Sequence, residues 1–276
     1  MNPLSSISRA VFVLSALLLT TVAWAAEPMA PFAPPAEAAL PSDPRGDAIR
    51  AGKLLLTETK QRLPKNVGNG LNCSNCHLNA GRTQFASPWV GVWGVYPQYR
   101  SRNARMSSLQ ERVNDCFERS LNGRGLALDS AEMNAIMTYM QWLSTGVPTG
   151  ARVEGHGFGP IGTQLQPDAT RGKTLYATKC ARCHGPNGAG QKIAANQYAY
   201  PPLWGHDSFN IGAGMARTYS AAAFIKHNMP LGAGNTLNDQ DAIDIAEFVT
   251  HQPRPAFPAA AHDWPKGDKP KDARNG

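Results

Sequence analysis

The pattern Cys-x-x-Cys-His occurs twice in this chain, as Cys73-Ser74-Asn75-Cys76-His77 and as Cys180-Ala181-Arg182-Cys183-His184. No other feature narrows the choice of fold so far. Two thiols at this spacing add across the two vinyl groups on one edge of a haem, and the histidine that follows reaches the iron from the proximal face. The motifs therefore predict two covalently bound haems c, one on Cys73, Cys76 and His77 and the other on Cys180, Cys183 and His184. A zinc site built from both knuckles is a poorer fit, because they lie about a hundred residues apart and each carries its own His. A thioredoxin-like redox pair needs a βαβ context that the sequence does not offer.

Around each motif the chain repeats one plan: a short helical pattern, the motif, a long loop region and a closing amphipathic helix. In the first copy, Gly52 to Thr59 precedes the motif. The closing helix starts near Asp129 or Ser130, with Met133, Ile136, Met137, Met140 and Leu143 forming an apolar stripe. In the second copy, Arg171 to Thr178 precedes the motif, and the closing helix follows Asn238 with Ile243, Ala246 and Val249 on its buried face. No alternating strand pattern competes. The expected fold is mainly α, with two class I cytochrome c-like domains in tandem at residues 46–145 and 170–252. The Gly- and Pro-bearing stretch 146–169 reads as a linker.

The ends read differently. Arg9, the apolar run Ala10 to Ala23 and the small-x-small site Ala23-Trp24-Ala25 predict a cleaved secretory signal peptide over residues 1–25. The run is too short for a stable membrane anchor. Export places the protein in the periplasm, where c-type haem is attached. Residues 26–45 form a Pro/Ala-rich leader, and residues 253–276 mix Pro, Lys and Asp; both are expected to be extended and mobile, outside the folded core. The formal charge of +7 comes from scattered basic residues without a run of five or six, which argues against nucleic acid and suits small anions or an acidic redox partner.

Each iron needs a decision about its other side. In the second copy, Met229-Pro230 lies 45 residues beyond His184 and resembles the distal-ligand loop of small class I cytochromes c, making Met229 the sixth-ligand candidate. The alternative is that Met229 only packs on the ring, with Met215 or His227 as ligand. In the first copy, Cys116 lies 39 residues beyond His77. Five cysteines minus the four in the motifs leave this one over. Ser108 with Glu111 forms a capping box and Gly123 a stop, so Leu109, Val113, Phe117 and Leu121 share a core stripe while Arg112, Cys116 and Ser120 share its neighbour. A buried free thiol or an intermolecular disulfide are the other readings of Cys116. The arginines Arg100, Arg102, Arg105 and Arg112 could equally serve haem propionates or a solvated face.

The segment Asn114-Asp115-Cys116-Phe117-Glu118-Arg119-Ser120-Leu121-Asn122-Gly123, set between two haem motifs, resembles the periplasmic dihaem thiosulfate dehydrogenases, and the likeness runs from about Arg50 to Gln252. That resemblance implies an oxidoreductase joining two thiosulfates into tetrathionate and passing two electrons to an external c-type cytochrome. It implies His77 and Cys116 on the first iron, with Arg102, Arg112 and Ser120 around the substrate, and His184 and Met229 on the second iron. Some relatives carry a lysine before that methionine, where this chain has Asn228. The same residues leave three other readings open: a dihaem electron-transfer cytochrome without a substrate, a dihaem peroxidase, and a sulfur-carrier-processing cytochrome with a Cys-ligated haem.

Overall fold

Helices begin where the sequence supplies their caps. A computed structural model describes residues 29–195 and 197–274, so the predicted signal segment lies outside the described residues. Six helices carry the architecture: α1 (Pro44–Thr57), α2 (Leu109–Arg119), α3 (Ala131–Leu143), α4 (Ala169–Lys179), α5 (Thr218–Asn228) and α6 (Asp239–Thr250). Asp43, Ser108, Ser130, Asp168 and Asn238 each accept a hydrogen bond from a first-turn N–H, which satisfies donors the helix itself cannot. The Ser108–Glu111 capping box forms in both directions.

In each half the first helix packs against the closing one, α1 on α3 and α4 on α6. One glycine makes each crossing possible. A Cβ on Gly52 would sit 2.1 Å from the Ala135 carbonyl oxygen, and one on Gly172 would sit 1.9 Å from that of Asp244. The expected stripe of α3 is the core of the first half: Met133, Ile136 and Leu143 are fully buried against Ile49 and Leu56. Burial of such a side chain contributes about 1.5–3 kcal/mol. Ile243 and Ala246 of α6 take the same part in the second half.

The end of α2 differs from the expected glycine stop. Asn122 takes the left-handed conformation at φ 50°, while Gly123 is demanded by crowding, since a Cβ there would meet the Asn66 carbonyl at 1.8 Å. Three two-stranded pieces also form. Gln98–Arg100 pairs antiparallel with Arg105–Ser107, Gln191–Ala194 antiparallel with Gln197–Tyr200, and Met29–Ala30 parallel with Arg152–Val153.

That last pairing corrects the picture of loose ends. From Met29 onward the leader is fixed: Ala30 is buried with Val90, Ala151 and Val153, Arg82 donates to the Pro35 carbonyl at 2.6 Å, and Pro44 opens α1. The stretch 146–169 is likewise anchored, with the Gly155 and Gly157 carbonyls accepting from Phe85 and Ser87 at 2.6 and 2.7 Å. The flexible tail expected at 253–276 is, through residue 274, packed structure. Trp264 and Ala260 are buried and Asp263 is held by two arginines. Isolated anchors and carbonyl contacts, without periodicity, hold all three. No helix among the described residues is long and apolar enough to cross a membrane.

Candidate active site and haem cavities

The motif after α1 is one tight turn. The Cys73 N–H donates to Thr59 Oγ1 at 3.1 Å, and the His77 N–H donates back to the Cys73 carbonyl at 3.0 Å. The His77 ring stacks on Trp89, and its Nδ1 lies 2.6 Å from the Ser87 carbonyl oxygen. A carbonyl only accepts, so Nδ1 carries the hydrogen and Nε2 is left with its lone pair. Burial, aided by the nearby Arg112 and opposed by the Ser87 carbonyl, pulls His77 down to about 4. The ring is therefore neutral, the form that binds iron.

Helix α2 brings the leftover cysteine to this turn. Arg112 Nη1 lies 2.9 Å from Cys116 Sγ, one turn along the same face. The sulfur is also close enough to the motif to act on it. Burial pushes the Cys73 and Cys76 thiols up to about 12, and Cys116 adds to the rise in both. The charge of Cys116 in turn raises Arg112, against burial, so the guanidinium stays cationic. Ser120 caps α2 one turn further on, its N–H donating to the Cys116 carbonyl at 2.8 Å.

The arginines divide. Arg100, lowered by burial and then by Arg112, lies within charge range of Cys116, as does the Tyr96 phenol, which burial raises. Neither stood out in the sequence as a neighbour of that sulfur. Arg102 faces the other way at one end: its Nη1 donates to the Gly212 carbonyl and stands 3.6 Å from Asp263. It still interacts with Arg112. Arg105 turns outward to Glu111 at 2.7 Å.

In the second half the motif and the predicted sixth ligand line one apolar cavity, with His184, Cys180, Cys183 and Met229 sharing it with Tyr176 and Phe224. His184 Nδ1 lies 2.9 Å from the Pro201 carbonyl, and burial holds its pKa below the ordinary value. Of the alternatives, Met215 also lines the cavity, whereas His227 stacks on Phe85 with its ring nitrogens at Asn235 Oδ1 and the Pro160 carbonyl. Asn228 points away, donating to the Phe85 carbonyl at 3.0 Å. Ser74, Asn75 and Cys76 of the first motif form part of the same cavity's wall, so the two attachment turns adjoin. Two thiols and an imidazole with a bare Nε2 at each turn, together with this apolar cavity, fit covalent haem c.

Comparison with known proteins agrees. Residues 64–149 match the family model described as "SoxA/TsdA, cytochrome c domain", and residues 169–253 match "Cytochrome c". The chain is 50% identical over 240 residues to a thiosulfate dehydrogenase of Psychrobacter arcticus, covering 87% of this chain and 73% of that relative. It belongs to the thiosulfate dehydrogenase family. A second member, from Allochromatium vinosum, is 48% identical over 227 residues, covering 81% of this chain and 84% of its own length. A solved structure titled thiosulfate dehydrogenase (TsdBA) from Marichromatium purpuratum, "as isolated" form, superposes with a TM-score of 0.76 at 40% identity. That match covers 83% of this chain and half of the solved one. The two cytochrome c domains carry two covalently bound haems c.

Proposed function

We propose that this protein oxidises two thiosulfates to tetrathionate at the first haem site and passes the two electrons through the second haem to an external c-type cytochrome after export to the periplasm. The observation that carries this reading is the Arg112–Cys116 contact beside the His77 turn. An electron-transfer cytochrome without a substrate gives that contact no task.

Two unit charges 4 Å apart repel by about 1 kcal/mol in water and about 4 kcal/mol at an effective dielectric of 20, and a pair of dianions multiplies this roughly fourfold. Fixed cations must offset it. Arg112 and Arg102 take that role, with Arg100 adding positive charge, and their planar forks match sulfonate oxygens. Ser120 offers a hydroxyl on the same face as Cys116.

His77 and Cys116 would hold the first iron, and His184 and Met229 would hold the second. When bound, the haems supply one-electron acceptors for the two electrons released. Cys116 sulfur bonds to the outer sulfur of a first thiosulfate, with loss of those two electrons. A second thiosulfate then attacks this conjugate by exchange, which forms tetrathionate and returns the Cys116 thiolate. Arg112 stabilises the sulfur as an anion before and after. Because each step is reversible, the same residues serve tetrathionate reduction. The adjoining of the two attachment turns supports direct passage of electrons between the halves.

The test adds thiosulfate to oxidised protein and follows the haem bands, then repeats with Cys116→Gly. The wild type is expected to become reduced and to release tetrathionate, and the variant to retain both haems without turnover. Normal thiosulfate oxidation by the variant would falsify the assignment.

A further inference from the structure

Residues 253–274 run across both halves of the molecule. The Pro253 and Pro255 carbonyls accept from Gly205 and Ile211 at 2.8 and 3.0 Å, and Asp272 accepts from the Tyr219 N–H at 2.9 Å. Between these anchors the segment buries one carboxylate, Asp263, whose side chain is 3% exposed. It accepts from Arg119 Nη1 at 2.8 Å and Nη2 at 2.7 Å, and its Oδ2 stands 3.6 Å from Arg102 Nη1.

The next residue completes the grip. The Trp264 ring lies 4.7 Å from the Arg102 guanidinium carbon, and the Trp264 N–H donates to the Arg102 carbonyl at 2.8 Å. Trp264 adopts φ 56°, a conformation that a bulky residue keeps only when its surroundings fix it. Burial first, and then Arg119, pulls Arg102 down to about 10, and Asp263 opposes both. Without that carboxylate two buried guanidiniums would share the Gly212 carbonyl with nothing negative between them.

The contacts leave part of Arg102 open. They occupy Nη1 and one face of the plane, while the Nε–Nη2 edge has no protein partner among the described residues. That edge is the side-on fork that binds two oxygens of an oxyanion. We infer that Asp263 is a positioning residue for the proposed thiosulfate site: from the C-terminal segment it fixes the Nη1 end of Arg102, so that the Nε–Nη2 edge is presented to a sulfonate. The inference rests on the reading of Arg102 as a substrate cation.

The test uses the full chain with both haems attached and compares steady-state kinetics of Asp263→Asn, Asp263→Glu, Arg102→Gln and the double variant. Asp263→Asn is expected to raise the thiosulfate KM about tenfold, the effect of roughly one lost charge-assisted contact, with kcat and the haem spectrum changed far less. Asp263→Glu should recover much of it, and Asp263→Asn should add less than twofold to Arg102→Gln. A parental KM in Asp263→Asn, or its full effect repeated on top of Arg102→Gln, overturns the inference. Arg102→Gln reads the underlying assumption separately, since an unchanged KM there refutes Arg102 as a substrate cation whatever Asp263 does. Should Asp263→Asn fail to accumulate with haem, Trp264→Leu removes the cover on the same guanidinium. It is expected to raise KM without adding to Arg102→Gln, and a parental KM overturns the inference.

Discussion

Arg112 Nη1 stands 2.9 Å from Cys116 Sγ, four residues away on one face of α2. The core stripe of the helix, Leu109, Val113 and Phe117, is buried, so the neighbouring stripe has one orientation available to it. Packing thus aims the sulfur, and the guanidinium of Arg112 donates to it.

Removing that charge should slow turnover without detaching haem. A hydrogen bond to a charged group contributes about 1.5–3 kcal/mol, so Arg112→Gln is expected to lower kcat/KM for thiosulfate about 10- to 150-fold. Arg112→Lys should fall between, keeping charge and losing the fork. Steady-state kinetics, with the haem content of each variant measured beside them, decide this. Equal kcat/KM for all three would remove Arg112 from the chemistry.

Both helix crossings should be intolerant of a methyl group. Gly172→Ala places a Cβ against the Asp244 carbonyl, and overpacking of this kind costs about 1–3 kcal/mol. Chemical denaturation should show the second half unfolding earlier, and Gly52→Ala should do the same to the first half. A midpoint unchanged in both variants would mean that the helices can separate at little cost.

Much of this was legible because it repeats at a helical period. Ser108 with Glu111, Ser130 and Asn238 mark helix starts, and the Met133 to Leu143 stripe is the core it promised. The neighbourhood of Cys116 was legible along α2, where Arg112 follows from spacing. It was not legible across the Gln98–Arg100 and Arg105–Ser107 hairpin. Strands of three residues leave no alternation from which to tell that Arg100 lies in charge range of Cys116 while Arg102 turns one end toward Asp263. The leader and tail were misread for a related reason. A Pro-rich segment held by single anchors such as Ala30 or Trp264 has the composition of a loose one.

Acid should weaken the join between residue 162 and α6. Asp239 accepts from the Gly162 N–H at 2.8 Å and pairs with Lys226, and the Lys226 bond, with further help from Gly162, holds its pKa below the ordinary value. A carboxylate depressed on folding stabilises above its unfolded pKa of about 3.9, and this contribution is lost as pH falls through the folded value. Asp239→Asn is therefore expected to destabilise the protein at neutral pH, with the difference from the parent shrinking below about pH 4. Denaturation midpoints across that range test the sign. A gap that widens on acidification contradicts it.

Met229 and Met215 both line the apolar cavity of the second half, and only one of the two sulfurs would serve with His184 as an iron ligand. Met229 forms the C-cap of α5, where the chain leaves the helix in an extended conformation, while Met215 sits in the 3-10 turn Gly214–Ala216 and also packs on the core of the first half. A side chain already engaged in that core is the poorer candidate for an iron ligand, so Met229 is the ligand we propose. Methionine opposite histidine raises a haem's potential. Met229→His should lower the potential of the second haem and slow delivery of electrons to an external acceptor, with both haems still attached. Met215→Leu should leave that potential in place. Redox titration with the two haems resolved separates the outcomes, and a drop confined to Met215→Leu would transfer the ligand role to that residue.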